Sequence, residues 1–316
     1  MRDSFGRVID YARLSVTDRC NLRCVYCIPE SESTPCATMP FDDLMRIGRV
    51  LASLGVRKFK ITGGEPTLRP DIVEIVRALK SLPGITDVTL TTNGLTLAEL
   101  AGRLAEAGLD AVNVSLDSLD PLIYRHLTGK EALEKVLAGL EAAKAIGSVK
   151  VNCVPQADTV ESDLLALINL ARKSPIHVRL IELMPIGAGA ALTGLSPETA
   201  KAWIERAYGP LTPASLPKGN GPAIYYSLEG FSGLIGFISA LQGCFCERCN
   251  RLRITADGHI KTCLHLDPGR PLPLYDERAM ALAIVEAVRQ KPARHLFHSP
   301  DLASEAGGRS MRRIGG

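Results

Sequence analysis

Nine cysteines punctuate the 316-residue chain, and six of them fall into two tight groups near its ends. Cys20, Cys24 and Cys27 form a C-x3-C-x2-C loop, and Cys246, Cys249 and Cys263 form a C-x2-C-x13-C set. Soft thiolates at such spacings can wrap a metal ion or an iron–sulfur cluster. A cubane cluster has four irons, so three protein ligands leave one iron open to a small molecule, the feature that separates reactive from closed structural sites. Spacing alone leaves other readings open. The first group could be a zinc knuckle or a set of buried thiols, and the second a Cys3His zinc site completed by His259 or His265. Cys36, Cys153 and Cys244 have no spacing partner and read as small buried hydrophobes or stray thiols. Cys244 stands just before Cys246, and the C-x2-C spacing selects Cys246 as the ligand.

Other residues add chemistry to these thiols. In Cys249-Asn250-Arg251-Leu252-Arg253, strand alternation would put both guanidiniums on one face beside the second group, which suits a polyphosphate as well as it suits a solvated basic surface. In ITGGEP (61–66), Gly63 and Gly64 remove the Cβ atoms that would block a close backbone approach, or simply make a turn. The chain ends on Gly315-Gly316, preceded by Arg309, Arg312 and Arg313; terminal glycines are usually disordered.

These groups must be held by elements, and their outline is legible. The runs KFKIT (58–62), DVTLTT (87–92), AVNVSL (111–116), VKVNCV (149–154) and HVRLIEL (177–183) read as strands, with a first strand around Leu14–Val16. Helical periodicity marks 41–54, 71–81, 96–107, 131–146 and 161–172, with glycines at 55, 108 and 147 just past three of the ends. The repeat of about thirty residues predicts an α/β fold, a partial (β/α) TIM-type barrel with ligands at the C-terminal strand ends. After Glu182 the rhythm breaks. A helix is expected around 197–207, a loop over 209–222, short strands with an Asp257-Gly258 hairpin turn over 224–264, and a last helix near 275–290. The expected division is a barrel over 1–222 and a C-terminal extension over 223–316 that carries the second cysteine group and the Gly-Gly tail.

Composition bounds the rest. With 46% hydrophobic and 22% charged residues the chain reads as globular, and no apolar run is long enough for a membrane span. A formal charge of +3 is too small to imply nucleic acid as a partner. The N-terminal residues show no secretory pattern, so a cytoplasmic location is expected, where thiols stay reduced and grouped cysteines favour metal over disulfides.

The C-x3-C-x2-C loop with Tyr26 before its last cysteine, followed one β-α unit later by ITGGEP, resembles the signature of the radical S-adenosylmethionine superfamily. RLSVTDRCNLRCVYC (13–27), ITGGEPTLR (61–69), TTNG (91–94), NVSLD (113–117), RLIELMPIG (179–187), IGFIS (235–239), CNRLRITADG (249–258) and the Gly-Gly tail together resemble the GTP 3′,8-cyclase family of molybdenum cofactor biosynthesis over nearly the whole chain. That resemblance implies two 4Fe–4S clusters and S-adenosyl-L-methionine, cleaved by one electron to a 5′-deoxyadenosyl radical that takes the 3′ hydrogen of GTP. The ribose radical then attacks C8 of guanine, giving (8S)-3′,8-cyclo-7,8-dihydroguanosine 5′-triphosphate.

Carried onto this chain, the resemblance implies Cys20, Cys24 and Cys27 as ligands of the radical-generating cluster and Cys246, Cys249 and Cys263 as ligands of a second cluster that binds guanine. Tyr26, Gly64, Ser115 and Met184 would hold S-adenosylmethionine. Arg13, Lys60, Thr91, Lys150, Arg251 and Arg253 would hold GTP, with Arg179 facing the triphosphate, and Gly315 and Gly316 would enter the catalytic site. It further implies a reductant for the first cluster and a cyclic pyranopterin monophosphate synthase downstream, and is compatible with a homodimer. Lys60 stands where the family commonly has Arg, which keeps the charge but loses a bidentate fork, and ALQGCF (240–245) departs from the usual loop. Two other readings differ in kind. A peptide-modifying radical enzyme would usually carry more cysteines and need neither NRLR nor the tail, and a non-catalytic metal sensor would need no GGEP motif.

Overall fold

In the computed structural model, residues 1–29, 32, 36–215, 221–241, 243, 245–266, 269–295 and 310–315 are described. Six strands, each followed by helix, occupy the first two-thirds of the chain. They are β1 (Tyr11–Ser15) with α1 (Phe41–Ser53), β2 (Lys58–Thr62) with α2 (Ile72–Lys80), and β3 (Asp87–Thr92) with α3 (Leu97–Glu106). Then come β4 (Ala111–Ser115) with α4 (Pro121–Thr128) and α5 (Leu133–Ala142), β5 (Ser148–Cys153) with α6 (Glu161–Lys173), and β6 (His177–Ile181) with α7 (Pro197–Tyr208). The remainder holds β7 (Thr212–Ala214), β8 (Ile224–Ser227), β9 (Ile235–Ile238), β10 (Arg251–Ile254), β11 (His259–Lys261), β12 (Arg270–Pro271), α8 (Glu277–Arg289) and α9 (Met311–Ile314).

All twelve strands join one sheet in the order β12-β11-β10-β1-β2-β3-β4-β5-β6-β9-β8-β7. The strands from β10 to β9 in that order are parallel, and antiparallel strands flank them on both sides. Among the described residues the sheet does not close, so it is an open barrel. The region after Glu182 therefore extends the sheet at both ends, β9 beside β6 and β10 beside β1.

Alternation along the strands decides what faces what. Leu14, Phe59, Ile61, Val88, Leu90, Val112, Val114, Val151 and Val178 are wholly buried in the apolar core. The residues between them, Arg13, Lys60, Thr89, Thr91, Asn113, Lys150, Asn152 and Arg179 among others, line an interior cavity. Barrel interiors are usually filled by branched apolar side chains, so a polar interior marks a binding chamber.

The structure departs from the sequence expectations at a few points. The first strand is Tyr11–Ser15, and the helix expected over 131–146 is α5 followed by a tighter 3-10 turn, Ala143–Ile146. The stretch 209–222, read as loop, contains β7, which pairs with β8. Helix α4 stands outside the expected set, although its signals are local: the Asp120 carboxylate accepts from the amides of Leu122 and Ile123, Pro121 opens the helix, and Gly129 ends it at φ 73°. The Asp257-Gly258 turn joins β10 and β11 as expected, with Gly258 at φ 81°.

Candidate active site

A cavity of about 730 Å³ runs through the barrel, and all six grouped cysteines line it. The loop carrying Cys20 follows β1, whereas Cys249 precedes β10, and β10 runs parallel to β1 with Tyr11 opposite Arg251. The two groups therefore lie at opposite ends of the strands, separated by roughly 15 Å at the ordinary strand rise. The first group sits at the C-terminal ends, as expected for such a fold. The second sits at the N-terminal ends, where the β-α pattern by itself predicts no ligand.

The first loop is clamped from several sides. Gly64 donates its amide to the Thr17 carbonyl at 2.8 Å and Glu65 donates to the Arg19 carbonyl at 2.7 Å. A Cβ on Gly63 would stand 2.2 Å from the Thr17 oxygen, and one on Gly64 2.4 Å from the Arg19 oxygen. The pair of glycines is thus required by the backbone of the cysteine loop itself, and Gly64 also borders the cavity. Buried Glu65 accepts from the Thr67 amide and hydroxyl, the Thr92 hydroxyl and the Asn93 amide. The Asn93 carboxamide in turn donates to Asn21 inside the loop at 2.7 Å. Tyr26 donates its hydroxyl to Asp117 at 2.8 Å, and Asp117 also accepts from the Val154 amide. Burial raises the Asp117 carboxyl to about 6 despite those two donors.

The thiols of this loop fit a metal cluster by chemistry. Burial raises the pKa of Cys20 and Cys24, and it lifts Cys27 to about 12; neighbouring Cys27 and Cys20 push Cys24 up further, and Cys20 does the same to Cys27. Among the described residues no three such side chains are placed to hold a single metal ion, so three soft donors whose anions repel one another suit a cluster of several metal ions that displaces their protons. Ser115 and Met184 line the same end of the cavity as Tyr26 and Gly64.

The second group presents a different environment. Cys246 opens the 3-10 turn Cys246–Arg248, Cys249 ends it, and Cys263 follows β11. Burial raises the Cys249 thiol, but Arg251 and Lys291 outweigh it and leave the pKa at about 7. The Arg251 guanidinium lies over the Phe245 ring, 4.6 Å from its centre. Of the two histidines considered for a zinc site, His265 places Nδ1 2.9 Å from the Cys263 sulfur, while His259 faces Asp257 at 3.2 Å. Cys244 lies outside the described residues.

Between the two ends, register brings the cations together. Arg13 is opposite both Arg253 and Lys60, Thr91 is opposite Asn113, which is opposite Lys150, and Asn152 is opposite Arg179. The Arg179 Nε donates to Asn152 at 2.8 Å. Burial lowers the pKa of Lys60 well below its ordinary value, and Arg179, Arg13 and Lys150 lower it further. Burial and Arg179 bring Lys150 down to about 8. Burial, then Arg13 and Arg251, lower Arg253. Lys60, Lys150 and Arg253, whose charged forms burial disfavours, share the chamber with Arg13, Arg179 and Arg251, with Lys58 and Arg312 also on its lining, and such an arrangement suits a polyanion. Asp87 and Asp110 border the same chamber, and Asp110 is engaged by Lys80 at 2.7 Å.

The tail reaches this chamber from the first loop. Met311 donates its amide to the Cys27 carbonyl, while Ser310 and Arg312 both bond Glu32 at 2.9 Å. The Arg313 Nε lies 3.5 Å from Asp18. Arg253 donates to the Gly315 carbonyl at 2.6 Å, and Gly315, at φ 81°, packs against Ser15 and Thr62. Gly316 and Arg309 lie outside the described residues.

All the S-adenosylmethionine and GTP positions named from sequence line the one cavity. Sequence reasoning misses Asn21, Glu32, Asn93, Asp117, Arg7 and Lys291. Asn93 and Asp117 stand in the TTNG and NVSLD runs, and the inward residues Thr89, Asn113 and Asn152 can be found by strand alternation.

Residues 14–171 match the Radical SAM superfamily and residues 176–297 match Molybdenum Cofactor Synthesis C. The chain is 39% identical over 326 residues to the GTP 3′,8-cyclase of Clostridium perfringens (strain SM101 / Type A), covering 100% of both proteins. It is 41% identical over 327 residues to the GTP 3′,8-cyclase of Moorella thermoacetica, covering 98% of this chain and 100% of that one. Streptococcus suis SuiB bound to precursor peptide SuiA superposes with a TM-score of 0.66 at 14% identity, over 98% of this chain and 76% of SuiB, a likeness of fold alone.

Proposed function

This chain belongs to the GTP 3′,8-cyclase family of radical S-adenosylmethionine enzymes, and from that membership we propose how its own residues serve the reaction. It converts GTP to (8S)-3′,8-cyclo-7,8-dihydroguanosine 5′-triphosphate, the first step of molybdenum cofactor biosynthesis, using S-adenosylmethionine and iron–sulfur clusters. The observation that carries the residue assignment is a single cavity with cysteine triads at both ends and a cluster of cations, Arg13, Lys60, Lys150, Arg179, Arg251 and Arg253 among them, on its lining.

Cys20, Cys24 and Cys27 hold the first cluster, and Tyr26, Gly64, Ser115 and Met184 border the cofactor beside it. When bound there, S-adenosylmethionine supplies a 5′-deoxyadenosyl radical by one-electron cleavage. Cys246, Cys249 and Cys263 hold the second cluster. Arg13, Lys60, Lys150, Arg179, Arg251 and Arg253 neutralise the triphosphate, whose roughly four charges would otherwise be costly to desolvate. Thr91 adds a neutral hydroxyl. Placed between the two ends, the ribose is oriented and kept from water, which a radical reaction requires. The α9 tail lies on the first-loop side, and Gly315 meets Arg253, so Gly315 is assigned to the catalytic chamber; family membership alone adds Gly316.

The first cluster needs an external reductant, and the unstable product needs a consuming enzyme, which we infer to be cyclic pyranopterin monophosphate synthase. A cytoplasmic, reducing setting suits six ligand thiols, and a homodimer is compatible with this reading. The test is an anaerobic assay of the reconstituted, reduced protein with GTP and S-adenosylmethionine. The cyclised nucleotide and 5′-deoxyadenosine are expected together by mass spectrometry; 5′-deoxyadenosine without any change in GTP would refute the substrate.

A further inference from the structure

Lys291 follows α8 and is 3% exposed, far from any role suggested by its place in the sequence. Its Nζ donates to the Arg251 carbonyl at 3.0 Å and to the Thr262 carbonyl. Arg251 stands two residues after Cys249, and Thr262 immediately precedes Cys263. One ammonium therefore ties together two segments that each carry a thiol. The next residues continue the clasp. Arg7 donates to the Cys246 carbonyl at 2.7 Å, to the Ala293 carbonyl at 3.0 Å and to the Pro292 carbonyl at 2.6 Å, while its Nε pairs with Asp3. The segment 291–293 thus connects, directly or through Arg7, to all three cysteine-bearing stretches of the second group.

The charge on Lys291 has no acidic partner of the usual kind. Among the described residues no carboxylate forms an ion pair with it; besides the two carbonyls, its side-chain partner is the Cys249 thiol, and a buried ammonium without a counter-charge is costly. The counter-charge that fits is thiolate, the form in which cysteine binds metal.

We propose that Lys291 is the positioning residue of the second cysteine group: it holds the Cys249 and Cys263 segments at their separation and sets a positive charge beside the ligand sulfurs. This rests on the reading of Cys246, Cys249 and Cys263 as cluster ligands. Hydrogen-bonded cations outside the ligand shell fix ligand orientation and favour the more reduced, more negative state of an iron–sulfur centre. Arg7 contributes from the other side, but its partner Asp3 already balances its charge.

The test uses the full-length, anaerobically reconstituted protein and compares Lys291→Met, Lys291→Gln and Lys291→Arg. Iron per chain, the midpoint of the electron-paramagnetic signal that GTP perturbs, and 5′-deoxyadenosine release without GTP are measured together. Lys291→Met is expected to lose roughly half the iron, or to keep it with the GTP-sensitive midpoint moved to more negative potential, while 5′-deoxyadenosine release from the other cluster persists. Lys291→Arg should return the midpoint toward wild type, and Lys291→Gln, which keeps donors without charge, should not. Full iron with an unmoved midpoint in Lys291→Met overturns the proposal. If Lys291→Met gives no soluble protein, the Arg and Gln variants decide: equal midpoints overturn the proposal and unequal ones support it. Cys246→Ala is run alongside. Undiminished iron there would remove the ligand reading, and this proposal with it, whereas reduced iron there with an unmoved Lys291→Met midpoint would remove this proposal alone.

Discussion

Replacing Gly64 with alanine should damage the first cysteine loop without touching a single thiol. The new Cβ would lie 2.4 Å from the Arg19 oxygen and 2.6 Å from the Asp18 oxygen, so the two backbones must part by at least about 0.6 Å to reach even 3.0 Å. The parting acts on two hydrogen bonds, from the Gly64 amide to Thr17 at 2.8 Å and from the Glu65 amide to Arg19 at 2.7 Å. Weakening both costs about 1 kcal/mol each, and overpacking against rigid backbone adds about 1–3 kcal/mol. A total of ~3–5 kcal/mol corresponds to a melting temperature lower by roughly 5–8 °C for a chain of 316 residues. Thermal and urea unfolding of the metal-free protein would measure it, with iron uptake after reconstitution as the functional reading. Gly102→Ala is the control: Gly102 sits inside α3 with nothing within 4 Å of the place its Cβ would take, so alanine there should stabilise by about 0.5–1 kcal/mol. If Gly64→Ala melted with wild type, or if both variants fell together, close packing would not be the reason for glycine at 64.

Three further outcomes are expected. Burial and Arg179 bring Lys150 down to about 8, so it is charged below that pH and must take up a proton to meet phosphate above it; GTP affinity should hold to about pH 7 and fall up to about tenfold per unit above 8. Calorimetry from pH 7 to 9 would show this, and Lys150→Met should bind more weakly with a flatter profile; equal slopes in the two proteins would contradict it. Tyr26→Phe removes one of the two donors to buried Asp117 and should cost about 1.5–3 kcal/mol at pH 7.5. Because Asp117 is protonated below about 6, the loss should shrink at pH 5, and melts at the two pH values would detect a failure of that trend. Gly315→Ala must place a side chain at φ 81° within 3.0 Å of the Ser15 Cβ, so it should displace the tail from Arg253. Cyclisation should drop by about tenfold or more while 5′-deoxyadenosine release continues; undiminished cyclisation would show that the chain end is not part of the chamber.

Local signals carried most of the fold. The strands at 58–62 and 87–92 and the helix starting at 161 match their expected bounds because each is a short-range periodicity that its own residues determine. Where the expectation failed, the competing signal was also local: Asp120-Pro121 with Gly129 specifies α4, and Ala143–Ile146 tightens into a 3-10 turn where one longer helix was expected. Glu32 and Lys291 were not legible. Their partners stand 278 or 280, and 29 or 40 residues away in the chain, and no pattern in the neighbouring sequence announces them.

Sequence by itself determined which chemistry is available: two thiol triads by their spacing, a glycine pair, and a set of cations in strand-like runs. It also determined the family, because those motifs recur in one order over nearly the whole chain. Only the tertiary structure decided that the triads face each other from opposite ends of one chamber, that cations from β1, β2, β5, β6 and β10 share it, and that Lys291 and Arg7 clasp the second triad. The physical reason is that β10 returns to lie parallel to β1 after more than two hundred residues, and such a pairing is set by the packing of the whole sheet rather than by anything within either strand.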